Sequence, residues 1–110
     1  MLRIYRKSGK TLLYRVTGLE PGVTVTDARF AVKKHPDVAD ADGLVVAAVS
    51  VTNGSGYADV EFRLSAEQTA ALEEGDYLCG VKIRTSTGAV AMVDATLEPV
   101  EVMPPFIEWT

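Results

Sequence analysis

One cysteine, one histidine and one tryptophan in 110 residues leave little from which to build a reactive site. With Cys79 alone there is no intrachain disulfide and no cysteine–histidine set at zinc-ligand spacing. A hydrolytic triad needs an imidazole base, yet His35 is the only histidine and no serine stands in a Gly-x-Ser-x-Gly setting. No glycine-rich loop leads into a helix to cradle phosphate. Aromatic residues make up 7% of the chain, too few for a stacking platform for sugars or bases. No apolar run approaches the ~20 residues of a membrane-spanning helix, and Arg3, Arg6 and Lys7 interrupt any leader-like run near the start. These absences predict a soluble protein made inside the cell, with no enzyme activity, cofactor, metal, small-molecule substrate or membrane partner.

Charge narrows the classes further. The net charge of −4 disfavours a nucleic-acid partner, which would call for a basic face. The distribution is uneven: Arg3, Arg6, Lys7, Lys10 and Arg15 precede the first acid, Glu20, and the remaining six bases face fifteen acids. Solvated strand faces are the plainest source of this asymmetry, but a basic N-terminal edge beside an acidic body also suits docking or self-assembly.

What the chain does contain is periodicity. Val60, Phe62 and Leu64 alternate with Asp59, Glu61 and Arg63, which predicts a half-buried strand over 57–64. Ser65 followed by Gln68 is a capping-box pattern, opening a short helix over about 65–74 that Gly75 would end as a left-handed cap. Tyr77, Cys79, Val81 and Ile83 then share one face of a strand over 76–85, with Cys79 a small core residue. A short helical crossover between two such strands places them in opposite sheets.

Elsewhere, 2–6 and 11–17 are strand candidates that either form a hairpin or lie in different sheets. Glu20-Pro21-Gly22 is a turn, and 23–34 is a core strand carrying Ala28, Phe30 and Val32. The loop 35–43 gathers Asp37, Asp40 and Asp42 near His35. It lacks both the alternating-aspartate frame of a calcium loop and a glutamate at the twelfth position, so solvated turn chemistry is the expectation. The apolar run 44–52 reads as one strand, paired through the Asn53-Gly54 turn with 57–64. Ser86-Thr87-Gly88 closes a hairpin onto 89–97, and Pro99 interrupts that last strand at a sheet edge.

The prediction is therefore an all-β chain: an Ig-like antiparallel β-sandwich of about seven strands with one short crossover helix, occupying 1–103, followed by an extended tail over 104–110. Pro104-Pro105 excludes helix in the tail. Phe106, Ile107 and Trp109 have no evident place in a closed core, so the tail either folds back over a sheet edge or packs on a neighbouring subunit. With Arg3 and Arg6 they form the predicted interface.

Two resemblances rest on the central stretch. Leu64 to Cys79, LSAEQTAALEEGDYLC, resembles the approach to the F strand of immunoglobulin-like domains, with Tyr77 in the place of the tyrosine-corner residue. From about Val23 to Val102, the pattern ADVEFRLSAEQTAALEEGDYLCGVKI followed by the closing ATLEPVEV resembles the N-terminal domain of phage upper-baseplate proteins. Leu64, Ser65, Thr69, Leu72, Gly75, Tyr77, Val81, Leu97 and Val100 or Val102 match its pattern, while Ala95 stands where a glycine is usual. The resemblance implies a virion structural protein of a phage or prophage, an adaptor or decoration component of tail or baseplate. Its partners would be other virion proteins and further copies of itself. The alternative expectation is a small Ig-like module binding a carbohydrate or protein ligand.

Overall fold

Eight strands form because apolar residues recur at every second position along most of the chain, and each strand must bury that face against another layer. In the computed structural model, which describes residues 1–108, they are β1 (Leu2–Tyr5), β2 (Lys10–Thr17), β3 (Val25–Lys33), β4 (Leu44–Ala47), β5 (Ser50–Asn53), β6 (Tyr57–Leu64), β7 (Gly75–Thr85) and β8 (Val90–Met103). One sheet has the order β1-β8-β7-β3-β4 and the other β2-β6-β5. This is the arrangement of an Ig-like sandwich, with β2, β6 and β5 in the places of strands B, E and D and β3, β7 and β8 in those of C, F and G. The inner faces meet over Phe30, Val32, Val60, Phe62 and Val81, all essentially without solvent exposure. Phe30 and Phe62 pack with ring centroids 5.7 Å apart, and Tyr14 lies 6.2 Å from each of them.

The central stretch behaves as its periodicity predicts. β6 and β7 lie in opposite sheets, joined by helix α1 (Ala66–Ala70). The Ser65 hydroxyl accepts from the Gln68 amide and the Gln68 side chain accepts from the Ser65 amide, which completes the capping box. Tyr77 donates its hydroxyl proton to the Glu73 carbonyl at 2.8 Å, the geometry of a tyrosine corner. Cys79 is buried in the core.

Five expectations need correction. The helix is shorter than 65–74, and Ala71 ends it in right-handed conformation. Gly75, at φ 138°, instead opens β7. The apolar run 44–52 is two strands: β4 pairs with β3 and β5 pairs with β6. The chain changes sheets where the Ala48 amide donates to the Ala28 carbonyl and the Val49 amide to the Glu61 carbonyl. A run whose faces exchange roles midway has no period to read. The sandwich is not wholly antiparallel, because β1 crosses to the five-stranded sheet and runs parallel to β8, from Leu2 opposite Val100 to Tyr5 opposite Met103. The eight strands of the described residues agree with the expected count of about seven. Finally, Pro99 does not interrupt β8. It pairs with Leu78 one residue before β1 joins, so the side of β8 that lacks an amide proton there faces no strand.

One irregularity in β8 shapes the outer surface. Cys79 pairs with Glu98 and Val81 with Val93, so residues 94–97 bulge opposite Gly80. The hydroxyl of buried Thr96 accepts from the Val81 amide at 2.8 Å and donates to the Val93 carbonyl, replacing the ladder bond that the bulge removes. Among the described residues, no buried side-chain polar atom lacks a partner.

Candidate interaction surfaces

The parallel pairing of β1 with β8 brings the end of β1 and the start of the tail to one end of the sandwich, here its base. The Arg6 amide donates to the Met103 carbonyl at 3.0 Å. The half-buried Arg6 side chain donates from Nε to the Leu72 carbonyl at 2.7 Å and from Nη2 to the Ala70 carbonyl at 2.9 Å. A five-residue helix leaves its last carbonyls unpaired, and the guanidinium satisfies that of Ala70 and the Leu72 carbonyl just past the Ala71 cap, placing positive charge at the negative end of the helix dipole. Arg6 therefore fastens α1 to the base instead of projecting freely. Thr69, also fully buried, reinforces the same joint by donating to the Ser8 carbonyl at 2.9 Å.

The other predicted interface residues stand differently. Arg3 is exposed and lies 3.9 Å from Glu101, a loose surface pair of small energetic value. Phe106 is 88% exposed and Ile107 66%, beyond the exposed Pro104 and half-buried Pro105. Among the described residues, Lys7 Nζ pairs with Glu108 Oε2 of the tail at 3.1 Å. Over its described part it does not fold back to bury its apolar groups on a sheet edge; Trp109 lies outside the described residues. Around the same base, the turn between α1 and β7 exposes Glu73 and Glu74, and the start of β7 exposes Asp76.

A second surface, not anticipated from sequence, is the outer face of the five-stranded sheet. The register sets Arg29 directly across from Lys82, and Arg84 across from Asp27. Lys82 in turn pairs with Met92 and Arg84 with Val90, and both apolar side chains are about half exposed, at 43% and 51%. Asp27 Oδ2 lies 3.6 Å from Arg29 Nε; among the described residues, Lys82 and Arg84 make no ion pair. A shallow depression of ≈ 240 Å³ is bounded by Asp27, Arg29, Lys82, Arg84 and Val90. The signal was present in the alternation of 27–33 and 82–84, but only strand register turns those residues into one patch.

The acidic loop is organised from within. Lys33 reaches into it, donating to the Val38 carbonyl at 2.8 Å and pairing with Asp40. The ammonium holds the Asp40 carboxyl below the usual carboxylate range, chiefly through that hydrogen bond. Asp37 and Asp42 flank this pair without joining it, and among the described residues no three of His, Cys, Asp and Glu gather as metal ligands. The outer face of the three-stranded sheet is likewise self-paired. Arg15 binds Asp59 through two hydrogen bonds at 2.8 and 3.0 Å and lies over the Tyr57 ring. Those bonds lower the Asp59 pKa and raise that of Arg15. Gly54 makes room for this stack, since a Cβ there would collide with the Tyr57 ring.

Burial pushes the Cys79 thiol up to about 11, with the Glu98 charge adding to the effect, and Tyr14 up to about 12. A thiol so held is protonated at neutral pH and is a poor nucleophile. No helix among the described residues is long and apolar enough to cross a membrane. No protein-family model matches the chain, and no curated protein sequence matches it.

Proposed function

We propose that this protein acts by protein–protein packing, as a structural component of a phage or prophage tail or baseplate that joins other virion proteins and further copies of itself. The observation that carries this reading is the tail: Phe106 and Ile107 stand 88% and 66% exposed on a proline-stiffened segment leaving a core that is complete without them. Large apolar side chains displayed together on an exposed segment lose hydration cost only when a partner covers them. The phage assignment rests on the resemblance carried by Leu64, Ser65, Thr69, Leu72, Gly75 and Tyr77. Several of these make the contacts on which such a scaffold depends, through the capping box, the buried Thr69 and the tyrosine corner.

The test is light scattering on the chain and on the double variant F106S/I107S. The wild-type protein is expected to elute above monomer mass, and the variant to fall to monomer with an unchanged melting midpoint. A monomer in both cases refutes the self-association part. Co-purification with the products of adjacent tail genes tests the virion assignment, and a chromosomal setting without such genes would sink it.

A further inference from the structure

Two surfaces carry opposite charge that internal pairing offsets only in part: Asp27 and Asp40 on the sheet face, and at the base Lys34, which lies over the Tyr77 ring. On the five-stranded sheet, Arg29 and Lys82 are directly opposed, and like charges facing each other across strands oppose folding. Asp27 pairs with Arg29, and Asp40, held by Lys33, lies within electrostatic reach of Arg29 and Lys82, so Arg29, Lys33, Lys82 and Arg84 still outnumber the acids beside them by two. At the base, Glu73, Glu74 and Asp76 are exposed and, among the described residues, make no ion pair. The two sets cannot neutralise each other within one molecule. Asp76 and Lys82 lie on the same extended strand, about 20 Å apart at the usual rise per residue.

We propose that the outer face of the five-stranded sheet, around Arg29, Lys82, Arg84, Val90 and Met92, receives the base of a second copy of this chain. The base presents Glu73, Glu74 and Asp76 at the end of the sandwich from which the tail bearing Phe106 and Ile107 departs, since Gly75 pairs with Val102. This rests on the packing role proposed above and names the surface on which the tail lands. The match holds in both chemistries. The sheet face offers cations flanked by half-exposed Val90 and Met92, and the base offers carboxylates at the end from which the tail carries exposed Phe106 and Ile107. A two-fold axis through either patch would set like charge on like, so each contact joins the sheet face of one copy to the base of the next, and a head-to-tail pair keeps one face and one base open. Head-to-tail contacts close into rings or continue as filaments. A polyanion such as nucleic acid is a poorer occupant, because the chain's net charge of −4 repels it.

The experiment is sedimentation velocity at low and high salt on the wild-type chain, K82E/R84E, E73K/E74K and an equimolar mixture of the two variants. Each reversal alone sets like charge against like at every contact and is expected to weaken association by about tenfold or more. The mixture is expected to restore it, since each variant's altered surface meets the complementary one of the other. Wild-type association should weaken as salt rises. If a reversal variant fails to melt cooperatively, K82Q/R84Q and E73Q/E74Q replace the pair and should weaken association without rescue on mixing. Association unchanged in both charge variants but lost in F106S/I107S overturns this interface and leaves the packing role standing; a wild-type monomer under all conditions overturns both. Retention of a labelled oligonucleotide by wild type but not by K82E/R84E also overturns the proposal.

Discussion

Replacing Arg6 by alanine asks whether this side chain holds the fold or serves a surface. Its guanidinium makes two charge-assisted hydrogen bonds, at 2.7 Å to Leu72 and 2.9 Å to Ala70. A buried bond of this type is worth roughly 1.5–3 kcal/mol, and the half-exposed setting argues for about 1 kcal/mol each. The helix they secure has only five residues, far below the ~12–15 at which an isolated helix becomes even marginal. R6A should therefore lose about 2 kcal/mol, a fall in melting midpoint of roughly 8 °C for a domain of this size. Lysine can reach one carbonyl but not span both, so R6K should recover about half. Chemical denaturation gives the free energy, and amide hydrogen exchange locates it, with the largest loss of protection over 66–72. If R6A melts within a degree of wild type and α1 exchanges no faster, the clamp is wrong and Arg6 belongs with the solvated surface.

Three further outcomes follow from the same reasoning. T96V leaves the Val81 amide without its acceptor inside the β8 bulge and should cost about 1–3 kcal/mol in urea unfolding, whereas T96S should stay near wild type. Cys79 and Tyr14 have folded pKa values raised to about 11 and about 12 from 9.0 and 10.0. The stability they contribute is thus fully present below pH 9 and is lost as pH climbs toward 12, because the unfolded chain ionises first. Denaturation at stepped alkaline pH should show this decline, and C79A should remove its earlier part. At the acidic end, carbon-detected NMR titration should place the Asp59 carboxyl below an ordinary aspartate in wild type and return it to the ordinary range in R15A; an unchanged midpoint would break the Arg15–Asp59 assignment.

How much could be read in advance depended on how local the cause was. β6, the capping box and Tyr77 were legible because their determinants lie within a few residues of each other: an alternating face, a serine three residues before a glutamine, a tyrosine four residues after the carbonyl it binds. The change of sheet at Ala48 and Val49 left no mark, since the residues around it, Leu44 to Val49, are all apolar and satisfy either layer. The parallel pairing of β1 was equally silent, because Leu2 meets Val100 and nothing near Leu2 encodes that partner. Arg6 illustrates the same limit for the interface. As a basic residue near the start of the chain it reads as exposed, and only the fold reveals the carbonyls 64 and 66 residues away to which it bonds. The sheet-face patch needed register as well as facing, which no periodicity supplies.

The β1–β8 pairing also sets how the domain would carry tension. Because the two strands run parallel, with Leu2 beside Val100 and Tyr5 beside Met103, a pull entering at Leu2 and leaving at Met103 slides one strand along the other. Every rung between them is then strained together, and none can be opened singly from an end as in a peeled hairpin. Four short rungs so arranged form a shear lock, the first element of the domain to resist a load applied along these two strands.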